Sequence, residues 1–244
     1  MKKMLVLFLS IIILGIPKSV SAQQKVPILI YHSIDEFNGI GSKELYVTPE
    51  NFEKQMTYLR DHGYTLLTFE RWQDIKKVPK PIFITLDDGY KNNLNAYSIF
   101  QKLTSENFRP AGTFFVISDF IGRANRLTKS DLKILANSGF ISIQSHTATH
   151  PDLTKEENLK YELKESKEKI QQITGKPVIA LAYPYGNTNE HVVAETKKYY
   201  LYGLTTTPGP FSMTGFRNEL YYLPRIYIKY STTLDDFEKE VKVN

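Results

Sequence analysis

Cysteine is absent from the 244 residues, so no disulfide staples the fold and no thiolate can bind a metal. Histidine is scarce, with five in all, which makes the position of each one informative. No Gly-x-Gly-x-x-Gly follows any strand-like run, which argues against a dinucleotide site. Only one long apolar run exists, Met4 to Ile16, and it is short for a span of roughly 20 residues. It follows Lys2 and Lys3 and leads through Pro17 to the small-residue end Val20-Ser21-Ala22. That is the pattern of a secretory signal peptide over residues 1–22, with retention as an uncleaved membrane anchor as the alternative. Excess charge is lacking too. The chain has 31 basic and 26 acidic residues, but Lys2, Lys3 and Lys18 lie in the leader, so the remainder carries +2 rather than +5. Nothing in this balance calls for a nucleic-acid partner.

What is present is an alternation of apolar runs and amphipathic segments. Strand-like runs fall at Val26 to Tyr31, Tyr64 to Phe69, Pro81 to Ile84, Gly112 to Ile117, Phe140 to Gln144, Val178 to Ala182, Tyr202 to Thr206 and Tyr221 to Ile228. Helical segments lie between them. One begins at Thr48-Pro49 and closes at Gly63; others run from Tyr90 to Leu103, from Thr128 to Gly139 and from about Asn189 to Tyr199. Thr154 and Glu157 predict a capping box for a charged helix ending near Gly175, its Lys and Glu residues forming a solvated face. A last helix spans about Thr233 to Val241. No repeat or linker divides residues 23–244, which read as one domain. Alternating strands and helices imply a parallel sheet. The leading architecture is α/β, a closed or nearly closed barrel of about seven parallel strands, with an open doubly wound sheet as the alternative.

The polar residues concentrate where such a barrel would bring them together. His32, Asp87, Asp88, His146 and Tyr183-Pro184-Tyr185 each end a predicted strand, and in a parallel barrel those ends form one rim. Thr85-Leu86-Asp87-Asp88-Gly89 places two carboxylates side by side, which calls for a cation or a proton nearby. His146 and His150 are spaced to face one ion, and Asp88 or Asp87 can supply a third ligand, leaving a position open for water. His62, at a helix C-terminus, and His191, at a helix start, have ordinary structural readings.

These residues carry a resemblance. Thr85-Leu86-Asp87-Asp88-Gly89, His146-Thr147-x-x-His150 and Tyr183-Pro184-Tyr185-Gly186, in that order, resemble the leading motifs of the NodB-type polysaccharide deacetylases, carbohydrate esterase family 4. The resemblance implies a distorted (β/α) barrel that removes acetyl from N-acetylglucosamine units of a polymer. It implies Asp87 as general base, and Asp88, His146 and His150 as ligands of one divalent ion, with zinc the first choice and cobalt or another ion as alternatives. Tyr185 would offer a backbone N–H to the oxyanion, and Tyr183 and Pro184 would contact substrate.

Two departures from the family pattern stand out. Ala182 occupies a position where the family commonly has arginine, and no histidine follows His191 to serve as the late general acid. The chain instead has Tyr31-His32-Ser33-Ile34 after its first strand and Leu223-Pro224-Arg225-Ile226 near its end. In this it is similar to the subgroup acting on poly-N-acetylglucosamine and related polymers, which implies His32 as acid and Arg225 as the group fixing Asp87. The resulting expectation is a secreted or cell-wall-associated monomer acting on an acetylated aminosugar polymer, peptidoglycan or poly-N-acetylglucosamine. The alternatives are an inactive carbohydrate-binding barrel and a metal-dependent O-acetyl sugar esterase.

Overall fold

The computed structural model describes residues 24–242. The leader assigned to residues 1–22 lies outside them. Eight strands form one sheet: β1 (Ile28–Tyr31), β2 (Thr65–Leu67), β3 (Pro81–Leu86), β4 (Gly112–Val116), β5 (Ile141–Ser145), β6 (Ala180–Ala182), β7 (Tyr202–Leu204) and β8 (Ile226–Tyr227). Their order is β7-β6-β5-β4-β3-β1-β8, with β2 also on β3, and every pair is parallel. The count agrees with the expectation of about seven parallel strands.

The two ends of this order meet. Just before β8, Leu223 bridges Leu204 in parallel, accepting from Thr205 N at 2.9 Å and donating to Gly203 O at 3.0 Å. Arg225 N then donates to Thr207 O at 2.9 Å. The sheet is thus a distorted (β/α) barrel, closed at a short and irregular seam. The run Tyr221 to Ile228 was expected as one strand, yet only Ile226–Tyr227 is a strand proper. Pro224 has no N–H to give a ladder, which accounts for the break.

Among the described residues six α-helices follow the strands: α1 (Pro49–Asp61), α2 (Asn93–Leu103), α3 (Lys129–Asn137), α4 (Ser166–Thr174), α5 (Glu190–Thr196) and α6 (Leu234–Val241). Thr48 Oγ1 caps α1 by accepting from Asn51 N, and Phe52, Met56 and Leu59 are its buried face. α2 starts later than its periodicity suggested. Tyr90 bridges Arg126 and Lys91 N bonds Asn125 O, so these residues serve a neighbouring loop instead of a first helical turn. The Thr154–Glu157 box is not formed. Thr154 Oγ1 donates to Asp152, and Asn158 Oδ1 accepts from Tyr161 N to start a π-turn, Tyr161–Glu165, that runs into α4.

Alternation along the strands sorts the core into two layers. Ile28, Phe83, Phe115, Ala180, Tyr202 and Leu204 belong to one buried cluster. The intervening Leu29, Ile82, Ile84 and Phe114 belong to another, shared with the helices. The first is the barrel interior. Trp72 packs into it against Tyr202 and Phe211 at ring separations of 5.0 and 5.3 Å. Strand interiors buried on both sides are what a parallel sheet demands. No helix among the described residues is long and apolar enough to cross a membrane.

Candidate active site

The site is assembled at the C-terminal rim. Asp87 N donates to Tyr31 O at 2.9 Å, so the first carboxylate still rides on the sheet. Asp88 and Gly89 then adopt φ of 72° and 64°. Both carboxylates still face His146 Nε2, at 3.9 Å from Asp87 Oδ2 and 3.6 Å from Asp88 Oδ1. A Cβ on Gly89 would also meet Val116 Cγ1 at 3.0 Å, a tight contact that adds to the conformational preference for glycine here.

Asp87 turns inward and is 2% exposed. Arg225, at 1% exposure, reaches it from the closing seam. Nη1 and Nη2 donate to Oδ1 and Oδ2, both at 2.8 Å, giving a two-point pair. The guanidinium is itself held, with Nε on Thr205 O at 2.9 Å and Nη1 on Thr85 Oγ1 at 3.2 Å. Burial pushes the Asp87 carboxyl up. The charges of Arg225 and His146, with the Arg225 hydrogen bonds, outweigh it and bring the group down to about 2. Asp87 is therefore a carboxylate across the neutral range.

Asp88 faces two histidines. His146 follows β5 and its N bonds Val116 O at 2.9 Å. Its Nδ1 lies 2.7 Å from the Ala182 carbonyl, an acceptor, so Nδ1 carries the proton and the Nε2 lone pair is free. Nε2 of His146 and of His150 each stand 3.6 Å from Asp88 Oδ1. These separations are long for hydrogen bonds. They match two ligands around one ion, because tetrahedral zinc with bonds near 2.1 Å separates its ligands by about 3.4 Å. Asp88, His146 and His150 are the group among the described residues whose ligand atoms all lie within 4.8 Å of one another. Burial lowers the His150 pKa and the nearby His146 lowers it further, to about 4, so the imidazole is neutral, the form that binds metal. The donor set fits a divalent ion.

The loop carrying both histidines is strained and braced. Thr147 and His150 have φ of 66° and 67°. The buried Glu162 carboxylate accepts from Ala148 N at 2.9 Å, Thr149 N at 2.8 Å and Thr149 Oγ1 at 2.7 Å. The sequence reading placed Glu162 on a solvated face. The signal that could have found it is helical phase: Leu159, Leu163, Ser166 and Ile170 form the buried stripe, and Glu162 lies three residues after Leu159 and four before Ser166.

His32 directly follows β1, half-buried, with its ring edge-on to Tyr227 at 5.4 Å. Its Nδ1 is buried and has no hydrogen-bond partner. Burial lowers its pKa, while the charges of Asp87 and Asp88 act to raise it. Tyr185 is 63% exposed, in a left-handed conformation with φ of 60°, and its ring stands edge-on to His150 at 4.8 Å. Tyr183 and Pro184 do not have the surface that substrate contact requires. Both are buried, Tyr183 completely, with its hydroxyl donating to Tyr221 O at 3.2 Å. A Cβ on Gly203 would sit 2.2 Å from that hydroxyl, so the tyrosine fills the wall of the barrel. Ala182 gives its carbonyl to His146, and Arg225 reaches Asp87 from another strand. His62 stacks on Tyr58 at the end of α1, and His191 is exposed on α5; neither joins the rim cluster.

Comparison with known proteins agrees with this geometry. Residues 74–204 match the family model described as polysaccharide deacetylase, a range that includes Asp87, Asp88, His146 and His150 but neither His32 nor Arg225. The chain is 35% identical over 197 residues to YxkH of Bacillus subtilis (strain 168), a protein placed by name with the polysaccharide deacetylases, covering 77% of this chain and 67% of that one. It is 27% identical over 221 residues to the poly-β-1,6-N-acetyl-D-glucosamine N-deacetylase of Staphylococcus aureus (strain MRSA252), covering 82% and 72%. The crystal structure of a polysaccharide deacetylase from Bacillus cereus superposes with a TM-score of 0.89 at 52% identity, covering 90% of this chain and 70% of that one. Sequence, fold and the order of the rim motifs converge: the chain belongs to the polysaccharide deacetylase family.

Proposed function

We propose that this protein is a secreted, metal-dependent N-deacetylase acting on N-acetylglucosamine units of a cell-surface polysaccharide. The observation that carries the reading is the buried Asp87 carboxylate, gripped at both oxygens by Arg225 and set beside the Asp88–His146–His150 cluster. A divalent ion held by those three residues, zinc in our assignment, would polarise the acetyl carbonyl and acidify a water. Asp87 takes the proton from the attacking water, and Arg225 keeps it a carboxylate ready to do so. His32 protonates the departing amine. Burial lowers its pKa, which makes the imidazolium a stronger donor, and the charges of Asp87 and Asp88 offset part of that shift. The Tyr185 N–H stabilises the oxyanion.

The poly-N-acetylglucosamine substrate of the staphylococcal relative supports an aminosugar polymer. The leader-like residues 1–22 support export, with a mature chain starting near Gln23. Ala182 suggests an inactive binding barrel as the alternative, and the pairing of Arg225 with Asp87 favours the catalytic reading. The test is acetate release from N-acetylglucosamine oligomers and peptidoglycan, with and without chelator, beside O-acetylated xylan. Chelator-sensitive release from the N-acetyl substrates is expected. Release from the O-acetyl substrate alone, or release indifferent to chelator and metal content, would reject the reading.

A further inference from the structure

We infer that the end of the barrel opposite the active site is a docking surface for an anionic phospholipid bilayer, on which the enzyme sits with its catalytic rim turned outward. In a parallel barrel the turns leading into the strands gather at that end. Here they are residues 24–27, 62–64, 75–80, 104–111, 138–140, 175–179, 197–201 and 213–222. They carry nine lysines and arginines, all exposed, and two acidic residues, Glu106 and Glu219. The turn Phe69–Asp74, which plugs the same end with Trp72, adds Glu70, Arg71 and Asp74, so ten basic less four acidic residues leaves +6. Residues 23–244 carry +2 in all, so the rest of the chain is net acidic. Of the nine, Lys77 pairs with Asp74 and Lys198 with Glu195; the other seven make no ion pair among the described residues. The positive charge is therefore concentrated and largely uncompensated.

Apolar side chains stand among these charges. Phe216 is 67% exposed and Leu201 57%, and Met213 is exposed in the same turn as Phe216. The Phe216 loop is built rather than slack. Glu219 Oε2 accepts from Thr214 N at 2.8 Å and from Thr214 Oγ1 and Gly215 N at 2.9 Å, and Lys197 Nζ donates to Asn218 Oδ1. Apolar groups set among lysines and arginines suit a headgroup layer, where the charges meet phosphates and the apolar groups enter the acyl boundary. The position of the leader names the occupant. Gln24 Nε2 donates to Ile75 O at 3.1 Å, next to Lys76, and Lys25 and Val26 pair with Ser212 and Phe211, next to Met213. The chain thus enters the fold at this end. The apolar segment read as a leader ends at Ala22, two residues earlier, a reach of about 7 Å. The face that emerges beside the bilayer on export is the basic one. β3, six residues long, carries Asp87 about 20 Å away from it, on the side open to a surface polymer.

Docking is read without turnover, so it stands or falls apart from the deacetylase reading. The chain from Gln23, which contains every described residue, is sedimented with vesicles of equal parts phosphatidylglycerol and phosphatidylcholine, and with vesicles of phosphatidylcholine alone. At about 50 mM salt the anionic vesicles should bind it at least roughly tenfold more tightly, and about 500 mM should remove the difference by screening. One basic residue at such a surface is worth roughly a fivefold change in partitioning. Lys76→Glu/Lys77→Glu/Lys80→Glu should therefore weaken binding at least roughly tenfold. Lys25→Glu/Arg217→Glu, from other turns of the same end, carries the same expectation and keeps the test alive where the first variant misfolds. Lys129→Glu/Lys133→Glu/Lys160→Glu makes the same charge change on the helical side of the barrel and should cost less than about threefold. Equal binding to both kinds of vesicle, equal losses in the two triple variants, or tighter binding to soluble poly(glycerol phosphate) than to anionic vesicles overturns the docking surface.

Discussion

The two halves of the rim site are held by different means. Asp87 is fixed through a single side chain, Arg225, which arrives from 138 positions further along the chain. His146 and His150 are fixed mainly through peptide groups: the Ala182 carbonyl sets one ring, and the Glu162 carboxylate grips the amides of the loop between them. The contrast fits the roles proposed for each half. A general base needs a tuned proton affinity, and a buried guanidinium supplies charge to tune it. A metal site needs fixed directions, and backbone groups with an outer hydrogen-bonded carboxylate supply rigidity. Damage on one side should therefore alter proton transfer, and damage on the other should alter metal affinity.

The largest expected effect separates the two. Asp87→Asn keeps the shape and removes the base. Turnover should fall by about 10²–10⁴-fold while metal analysis finds one ion per chain as in the parent. Loss of the ion along with activity would show that the halves are not independent. His32→Ala should cost a comparable factor on the amide and spare an activated acetyl ester, whose leaving group needs no proton. Equal losses on both substrates would remove His32 from the acid role.

Glu162→Gln comes next. The amide cannot accept at both positions as the carboxylate does, so metal affinity should drop by about 10–100-fold, the usual cost of losing an outer-shell partner. Turnover should recover at saturating metal. A titration giving parental affinity, with turnover still impaired, would move Glu162 out of the metal half.

The smallest effect at neutral pH, and the sharpest in kind, belongs to Arg225→Lys. With Arg225 present, Asp87 titrates at about 2, and its acidic limb lies far below neutrality. Lysine keeps the charge but loses the two-point grip, so the burial penalty is less fully opposed and the Asp87 pKa rises. The acidic limb of kcat/KM should then move to higher pH. Stability should follow with the same sign. The depressed pKa contributes stability above the unfolded carboxylate value, lost as pH falls through the folded one, so the variant loses it at higher pH. A pH–rate profile superimposable on the parent's would mean that Arg225 does not tune the base.

Much of this molecule was legible in the chain itself. The alternation of strands and helices called for a parallel barrel, and the motifs at strand ends placed His32, Asp87, Asp88, His146 and His150 on one rim. Those inferences succeed because they use local periodicity plus a general rule about where parallel strands end. Residue-level orientation was less accessible. Tyr183 and Tyr185 stand two positions apart at the same turn, yet one is wholly buried and the other is 63% exposed, with Gly186 between the turn and Thr206. No pattern in Tyr-Pro-Tyr-Gly distinguishes the two rings, because Gly203, opposite Tyr183, is what makes room for one of them.

The sequence by itself determined which residues could be acid, base or ligand, since these depend on side-chain chemistry and on position at a strand end. Tertiary structure alone decided the pairings: Leu223 closing the seam on Leu204, Arg225 entering the barrel to meet Asp87, and a π-turn aiming Glu162 at the histidine loop. The physical reason is that a helical or strand period records which face of an element is buried. It does not record which distant group waits there, and that choice is made by packing between segments from 13 to 138 positions apart.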